Sequence, residues 1–354
     1  MRAPARSAAI LVVLLLAPTS PLASEGVPLS AGPETVRARW LMGTVLELRL
    51  PHRLPEADAL AEAAFAEVAR VEAAASLWRP GTELETVHRR CAAGAEAVLS
   101  PTLGALVEEA LRAAELTGGT YSPAVGSLVA AWDLRGEGRT PDPATRARAA
   151  AAARPSGVRY DRSTGTLRLD PGVALDLDGI AKGFALDRAA SALRARGVDD
   201  ALLNFGGQLL AIGPPRGRPA REGIVLAPGG DPLLSVPLRD ASLSTSSNSE
   251  RVRTVDGERA GHLLDPRTGD LVPFDGSVAV LASRGALADA LSTAWAVEGP
   301  EGYRRSDPGG AVRRAGAVAF VLPGRGGACE VLTDRPYQRL RPPARAVAAA
   351  DPEP

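Results

Sequence analysis

The stretch "VALDLDGIAKGFALDRAASALRARG" (173–197) constrains the fold more than any other. Alternation over 173–177 predicts a strand, glycines at 179 and 183 allow close backbone approach, and 181–196 predicts a helix stopped by Gly197. A helix that starts just after a strand presents free backbone N–H groups, which suits an anion. The stretch also holds Lys182, the one lysine of the chain, since the other 40 of 41 basic side chains are arginine. The spacing is not that of a GxxxxGK[ST] phosphate loop, so a plain strand–turn–helix with a solvated lysine fits the residues as well.

The flanking pattern fills out an architecture. "TVLELRL" (44–50) alternates as a half-buried strand, and Leu60, Ala64, Val68 and Val71 recur at helical spacing after Pro55. A second helix is expected over Leu103–Leu116, before Gly118 and Gly119. Residues 136–157, rich in Pro, Arg, Ala and Gly, read as a surface connection. Further strands are expected at 166–170, 201–205, 209–213 and 277–283, the last followed by a helix over Ala286–Val297. Gly206–Gly207 reads as a strand interrupted by a tight approach, and "AVAFVL" with "CEVLTD" as a closing hairpin. Strands and helices mix without regular βαβ alternation. The expected fold class is therefore α+β, mixed sheets with packed helices.

Composition narrows the function classes. Formal net charge is zero, which leaves no electrostatic case for nucleic acid or an anionic membrane surface. Arg2 and Arg6 precede the apolar run Ala8–Ala17, too short to span a bilayer, and small residues surround Ala23–Ser24. Residues 1–24 are thus expected to be a signal peptide, with an uncleaved membrane anchor as the alternative, and the mature protein in a periplasm, free or associated with the inner membrane, or outside the cell. No cysteine sits at that junction to take a lipid. Cys91 and Cys329 could pair or stay as thiols, and they form no CxxC metal spacing. The tail, 342–354, is expected to be disordered.

Two more constellations could carry chemistry. In "ALADALSTAWAVEG", Asp289 and Thr293 are i and i+4 on one helix face, where a carboxylate and a hydroxyl could hold Mg2+. An isolated pair of this kind is also a common packing or capping arrangement. In "STSSNSERVR…GHLLDPRTGD", hydroxyls at 244–247 precede His262, which suits either a general base or a structural hydrogen-bonder. Asp265 begins a turn with Pro266.

Taken together and in order, "LMGTVLEL", "ASLWRPGTELETV", "GGTYSPAVGSLVAAW", "LDLDGIAKGFALD", "LLNFGGQLLAIG", "STSSNSER", "HLLDPRTG" and "ADALSTAWAV" resemble the ApbE family of FAD:protein FMN transferases. The resemblance spans nearly the whole mature chain, and implies one such domain over 35–340. It implies an exported enzyme that splits FAD, attaches FMN to a Thr or Ser hydroxyl of an acceptor protein carrying an FMN-binding domain, and releases AMP. By resemblance Asp289, Thr293 and a backbone carbonyl near Gly179 would ligate Mg2+. Lys182 would hold the loop or touch a phosphate, His262 would act as base, and Asp265 would orient it or line the site. Met42, Trp78, Glu83, Asp176, Gly179, Lys182, Gly206, Gly207 and Thr245 would line the nucleotide site. Ser122, Ala124, His88, Ser247, Ser249 and Gln208 depart from the usual family residues. An FAD pyrophosphatase, with water as acceptor, and a non-catalytic exported FAD-binding protein stay open beside the transferase.

Overall fold

Leu46, Leu48 and Leu50, the apolar positions of the alternating run, are fully buried on one face of a central sheet. The computed structural model describes residues 34–332 apart from 53, 215–220, 227–231, 249–252, 257, 275, 306–309, 311–313 and 323–329. The expected signal peptide, the tail, Cys329 and Ser249 lie outside the described residues.

In chain order the strands are β1 (Glu34–Leu41), β2 (Thr44–Pro51), β3 (Ala97–Val98), β4 (Val158–Asp161), β5 (Thr166–Leu169), β6 (Ala201–Phe205) and β7 (Gln208–Ile212). They continue with β8 (Arg221–Leu226), β9 (Pro232–Leu238), β10 (Ala241–Ser247), β11 (Arg253–Val255), β12 (Glu258–Ala260), β13 (Ser277–Ala282), β14 (Val318–Leu322) and β15 (Glu330–Leu332). The helices are α1 (Ala57–Ala75), α2 (Glu83–Ala92), α3 (Pro101–Leu116), α4 (Gly126–Ala131), α5 (Pro143–Ala152), α6 (Asp178–Arg194) and α7 (Gly285–Arg305). Among the described residues the main sheet is antiparallel, in the order β1-β2-β6-β7-β10-β13-β14-β15. Separate helices and antiparallel strands make the fold α+β, as the lack of βαβ alternation implies.

Strand alternation divides the sheet between two cores. Leu46, Leu203, Leu210, Val278 and Val280 face the layer of α1, α6 and α7. Leu202, Ala211, Leu243, Ala279 and Phe320 face the β8–β9 hairpin on the other side. A smaller cluster under α4 and α5 includes Leu128, Trp132 and Leu264, and Trp132 Nε1–H donates to the Gly269 carbonyl at 2.8 Å. That bond ties the "DPRTG" turn to the "SPAVGSLVAAW" block.

The helices α6 and α7 cross at unusual proximity. A Cβ added to Gly183 would lie 2.1 Å from the Gly285 carbonyl oxygen and 2.7 Å from the Ala286 nitrogen. Only a residue without a side chain allows this crossing. It brings the lysine-bearing turn of α6 against the N-terminal half of α7, where Asp289 sits.

Five local readings need correction. Residues 173–177 form no strand: Ala174 makes a single parallel bridge to Val125, and Asp176 N–H donates to the Pro123 carbonyl at 2.8 Å. Helix α6 begins at Asp178, before the expected start, so Gly179 and Lys182 lie inside its first turns. Gly206 and Gly207, with φ of 59° and 94°, turn a β6–β7 hairpin and do not interrupt one strand. Within 136–157 the chain forms α5, opened by Asp142, whose carboxylate accepts the Ala144 and Thr145 N–H groups, and by Pro143. Its Ala–Arg sequence lacks apolar periodicity because only Ala149 is buried. Helix α7 is longer than expected and is broken by non-helical Gly299, just before Pro300.

Candidate active site

The crossing of α6 and α7 gathers the residues that the sequence marks for a cation. Asp289 is buried, and its Oδ2 accepts the Gly183 N–H at 3.0 Å. Ser244 Oγ lies 3.5 Å from Oδ1, while Ser246 Oγ lies 2.8 Å from Ser292 Oγ and 3.4 Å from Thr293 Oγ1. A methyl built on Gly179 would stand 3.2 Å from Thr293 Oγ1 and 3.4 Å from Tyr121 Cε2. Asp289, Thr293 and Gly179 therefore converge. Burial raises the Asp289 carboxyl above its ordinary range, and the charge of nearby Lys182 works against that rise.

This donor set fits a hard divalent cation. Among the described residues no three His, Cys, Asp or Glu side chains converge on a metal position. A cation here would rest on one carboxylate, on hydroxyl oxygens and on backbone oxygen, the ligand chemistry that Mg2+ accepts. Tyr121 adds an orphan donor: its side chain is 4% exposed and its hydroxyl has no hydrogen-bond partner.

Beside this pocket is a second charged group. Asp176 is buried against Arg135, Nη2 to Oδ2 at 2.6 Å, and its Oδ1 accepts the Asp178 N–H at 3.1 Å. Burial, aided by the Asp178 charge, pushes the Asp176 carboxyl up to about 6 against the pull of Arg135. Trp78 Nε1–H donates to Asp178 Oδ2 at 2.8 Å, and the Arg135 guanidinium carbon lies 5.3 Å from the Trp78 ring centroid. Trp78 nonetheless stays 53% exposed, so much of its ring is open to a planar partner. Arg135 went unmarked in the sequence, being one arginine among 40.

His88 supports the same segment from below. Its Nε2 accepts the Leu175 N–H at 3.0 Å, which puts the proton of a neutral ring on Nδ1. Burial, and then the Arg135 charge, lower its pKa below the usual 6.5. The folded protein then binds fewer protons than the unfolded chain, so this contribution is complete above about pH 6.5 and is lost as pH falls below it. Asp176 has the opposite sense: its raised value favours the folded state at low pH, and that stability is lost as pH rises toward 6. A His88→Gln variant keeps an acceptor but no titration. Its melting temperature is expected to fall less than that of wild type between pH 7 and 5.5, by about 2–4 °C for one buried hydrogen bond of ~1 kcal/mol. The carboxylates titrate in both proteins, so the difference between them reports His88. Parallel pH curves from thermal unfolding would refute this assignment.

The nucleotide-side residues divide by position. Met42 and Gly43, with φ of 46° and 76°, turn the β1–β2 hairpin, so Met42 is a non-glycine residue held in left-handed backbone. The tip of β6–β7 lies alongside: Gly206 N–H donates to the Val45 carbonyl, and a Cβ on Gly206 would come within 2.8 Å of Thr44. The Met42 and Gly206–Gly207 turns thus make one lip. Ser244 and Ser246 face α7, so alternation turns Thr245 to the other side of the sheet, with Leu243. The Glu83 carboxylate accepts both the N–H and the hydroxyl of Ser100, each at 2.6 Å, and joins α2 to α3.

His262 is half-buried on a segment fixed by Asn248, whose Oδ1 accepts the Leu263 N–H at 3.1 Å while its Nδ2 donates to the Val272 carbonyl at 2.6 Å. The Asp265 carboxylate is engaged by the Arg267 N–H and guanidinium at 2.8–2.9 Å, which fixes the turn. Among the departures, Ser122 donates to the Ala153 carbonyl at 2.6 Å and accepts the Ala124 N–H, a loop-bracing role. Ser247 donates to the Gly276 carbonyl, and Gln208 Nε2 donates to the Gly285 carbonyl at 3.0 Å.

The structure thus combines an antiparallel α+β fold with an oxygen-rich pocket at a helix crossing, next to an exposed indole held by a carboxylate. Residues 42–306 match the ApbE family, and the chain belongs to that family. It is 36% identical over 281 residues to the FAD:protein FMN transferase of Rhodobacter capsulatus, covering 77% of this chain and 53% of that protein. The chain thus spans about half the length of that relative. It is 35% identical to the FAD:protein FMN transferase of Treponema pallidum, over 76% of this chain and 80% of that one. The crystal structure of the ApbE protein from Thermotoga maritima superposes with a TM-score of 0.77 at 27% identity, covering 84% of this chain and 97% of that one. The apo flavinyl transferase ApbE of Pseudomonas stutzeri shares the fold, with a TM-score of 0.71 at 24% identity over 84% and 94% of the two chains.

Proposed function

We propose that this protein is an FAD:protein FMN transferase, which moves FMN from FAD to a Thr or Ser hydroxyl of an acceptor protein and releases AMP. The observation that carries the proposal is the convergence of Asp289, Thr293 and Gly179 at the α6–α7 crossing, with the Trp78 indole next to it. An oxygen-rich pocket with an aromatic face beside it suits a cation, a pyrophosphate and the flavin of a dinucleotide.

Each residue has work in that reading. Asp289, Thr293 and the Gly179 backbone would hold Mg2+, which would supply neutralisation of phosphate charge and help AMP to leave. Lys182 adds a compact positive charge beside Asp289 for a phosphate oxygen. Trp78 and Met42 receive the ring. His262 takes the proton of the acceptor hydroxyl as its oxygen bonds to the FMN phosphorus and the phosphorus–oxygen bond to AMP breaks. The same residues would serve hydrolysis if water took the acceptor's place. A signal peptide at 1–24 puts the reaction in an export compartment, where the partner is an exported or membrane-anchored acceptor with an FMN-binding domain. Among the described residues no helix is long and apolar enough to cross a membrane.

The test is AMP release from FAD by the purified protein with an acceptor domain, in Mg2+ and in chelator. AMP is expected only with metal. FAD that binds and never yields AMP under either condition would leave a flavin-binding protein and defeat the proposal.

A further inference from the structure

Tyr121 lies in the loop between α3 and α4, and its hydroxyl is fully enclosed without a partner. A buried hydroxyl left unpaired costs about 1–3 kcal/mol, so its persistence calls for a reason. Its surroundings supply one. The ring contacts the space next to Gly179, within reach of Thr293, and the charges of Asp289, Asp176 and Asp178 all bear on the phenol. Those carboxylates, with burial first, hold the phenol proton on, so the group is a neutral donor. Asp289 is occupied by Gly183 N–H and Ser244, and Asp176 by Arg135 and the Asp178 N–H. Asp178 accepts from Trp78. None takes the tyrosine proton.

We infer that the Tyr121 hydroxyl is a positioning donor for an oxygen atom of the bound ligand set in the Asp289–Thr293–Gly179 pocket. That oxygen belongs either to a metal-bound water or to a nucleotide phosphate. The inference rests on the flavin transferase reading and extends it: the pocket is built from one carboxylate, hydroxyls and a phenol donor.

Tyr121→Phe removes one atom group that no neighbour uses. The metal-free variant is expected to melt at or slightly above the wild-type temperature. Mn2+ serves as probe, with the free ion counted by its EPR signal, first alone and then with FAD. In the variant, Mn2+ binding weakened about tenfold without nucleotide assigns the hydroxyl to a metal-bound water. Unchanged Mn2+ binding, with FAD affinity weakened about tenfold in its presence, assigns it to a phosphate oxygen. Equal affinities for both ligands in variant and wild type overturn the inference. So does a metal-free melting temperature several degrees below wild type, which would reveal a protein partner for the hydroxyl. Wild-type protein that binds no Mn2+, with or without FAD, overturns the metal reading and this inference with it. That failure shows in the parent protein, whereas failure of the Tyr121 assignment shows only in the variant.

Discussion

Asp289→Asn is expected to lower Mg2+-dependent AMP release from FAD by roughly 10²–10³-fold while leaving the fold intact. The carboxylate is the one anionic side chain among the converging oxygen groups, and a metal that stabilises phosphoryl charge is worth several kcal/mol in the transition state. Asparagine keeps an oxygen for the Gly183 N–H, so the α6–α7 contact survives. Stability without metal should even rise. Burial raises the Asp289 carboxyl above the ordinary 3.8, so the folded state favours its protonated form. That stability is present at low pH and is lost as pH rises through the raised value. The amide has no such loss, and at pH 8 without metal the variant should melt at or above wild type. Added Mg2+ should stabilise wild type and not the variant. Activity within twofold of wild type, or equal stabilisation of both by Mg2+, would remove Asp289 from the cation site.

The second large effect is structural. Gly183→Ala would set a methyl 2.1 Å from the Gly285 carbonyl oxygen, and backbone cannot swing aside as a side chain can. The helices α6 and α7 must separate, at a cost of about 3 kcal/mol or more, which corresponds to a fall in melting temperature of roughly 5–10 °C. Separation also pulls the Gly183 N–H from Asp289, so Mg2+ affinity should fall in protein that is still folded. Gly179→Ala makes a useful contrast, because its methyl would meet Thr293 Oγ1 at 3.2 Å and no backbone. It should disturb metal binding with a smaller loss of stability. A Gly183→Ala protein that melts like wild type would mean that the crossing is looser than the structure shows.

These two sites show what a sequence can and cannot carry. Asp289 and Thr293 are four residues apart on one helix, and the short-range periodicity of a helix places them together without tertiary information. Gly183 stands out as a glycine inside a helical pattern, yet its partner Gly285 is 102 positions away, and nothing local announces the crossing. Thr245 marks another limit. The hydroxyl run at 244–247 is visible, but the side of the sheet that each residue faces depends on register, and a slip of one residue reverses it. Ser244 and Ser246 are the residues toward the site for that reason. Arg135 and Tyr121 carry no local mark, because arginine is common throughout this chain and an aromatic residue in a loop looks like packing. Glu83 and Asp265 were legible as polar groups near the right blocks. In the fold Glu83 bonds Ser100 and Asp265 bonds Arg267, contacts that brace a helix pair and a turn. The class of fold needed less, since the absence of βαβ alternation already pointed to antiparallel sheets with packed helices.

The most direct test of the central claim follows the acceptor itself. The protein is incubated with FAD, Mg2+ and an acceptor domain of the FMN-binding type, and the acceptor's intact mass is measured with and without metal. The account predicts a gain of one FMN on a Thr or Ser, with AMP released in equal amount and only in the presence of Mg2+. AMP and free FMN with no mass gain on any acceptor offered would contradict the transfer and leave hydrolysis as the activity of this site.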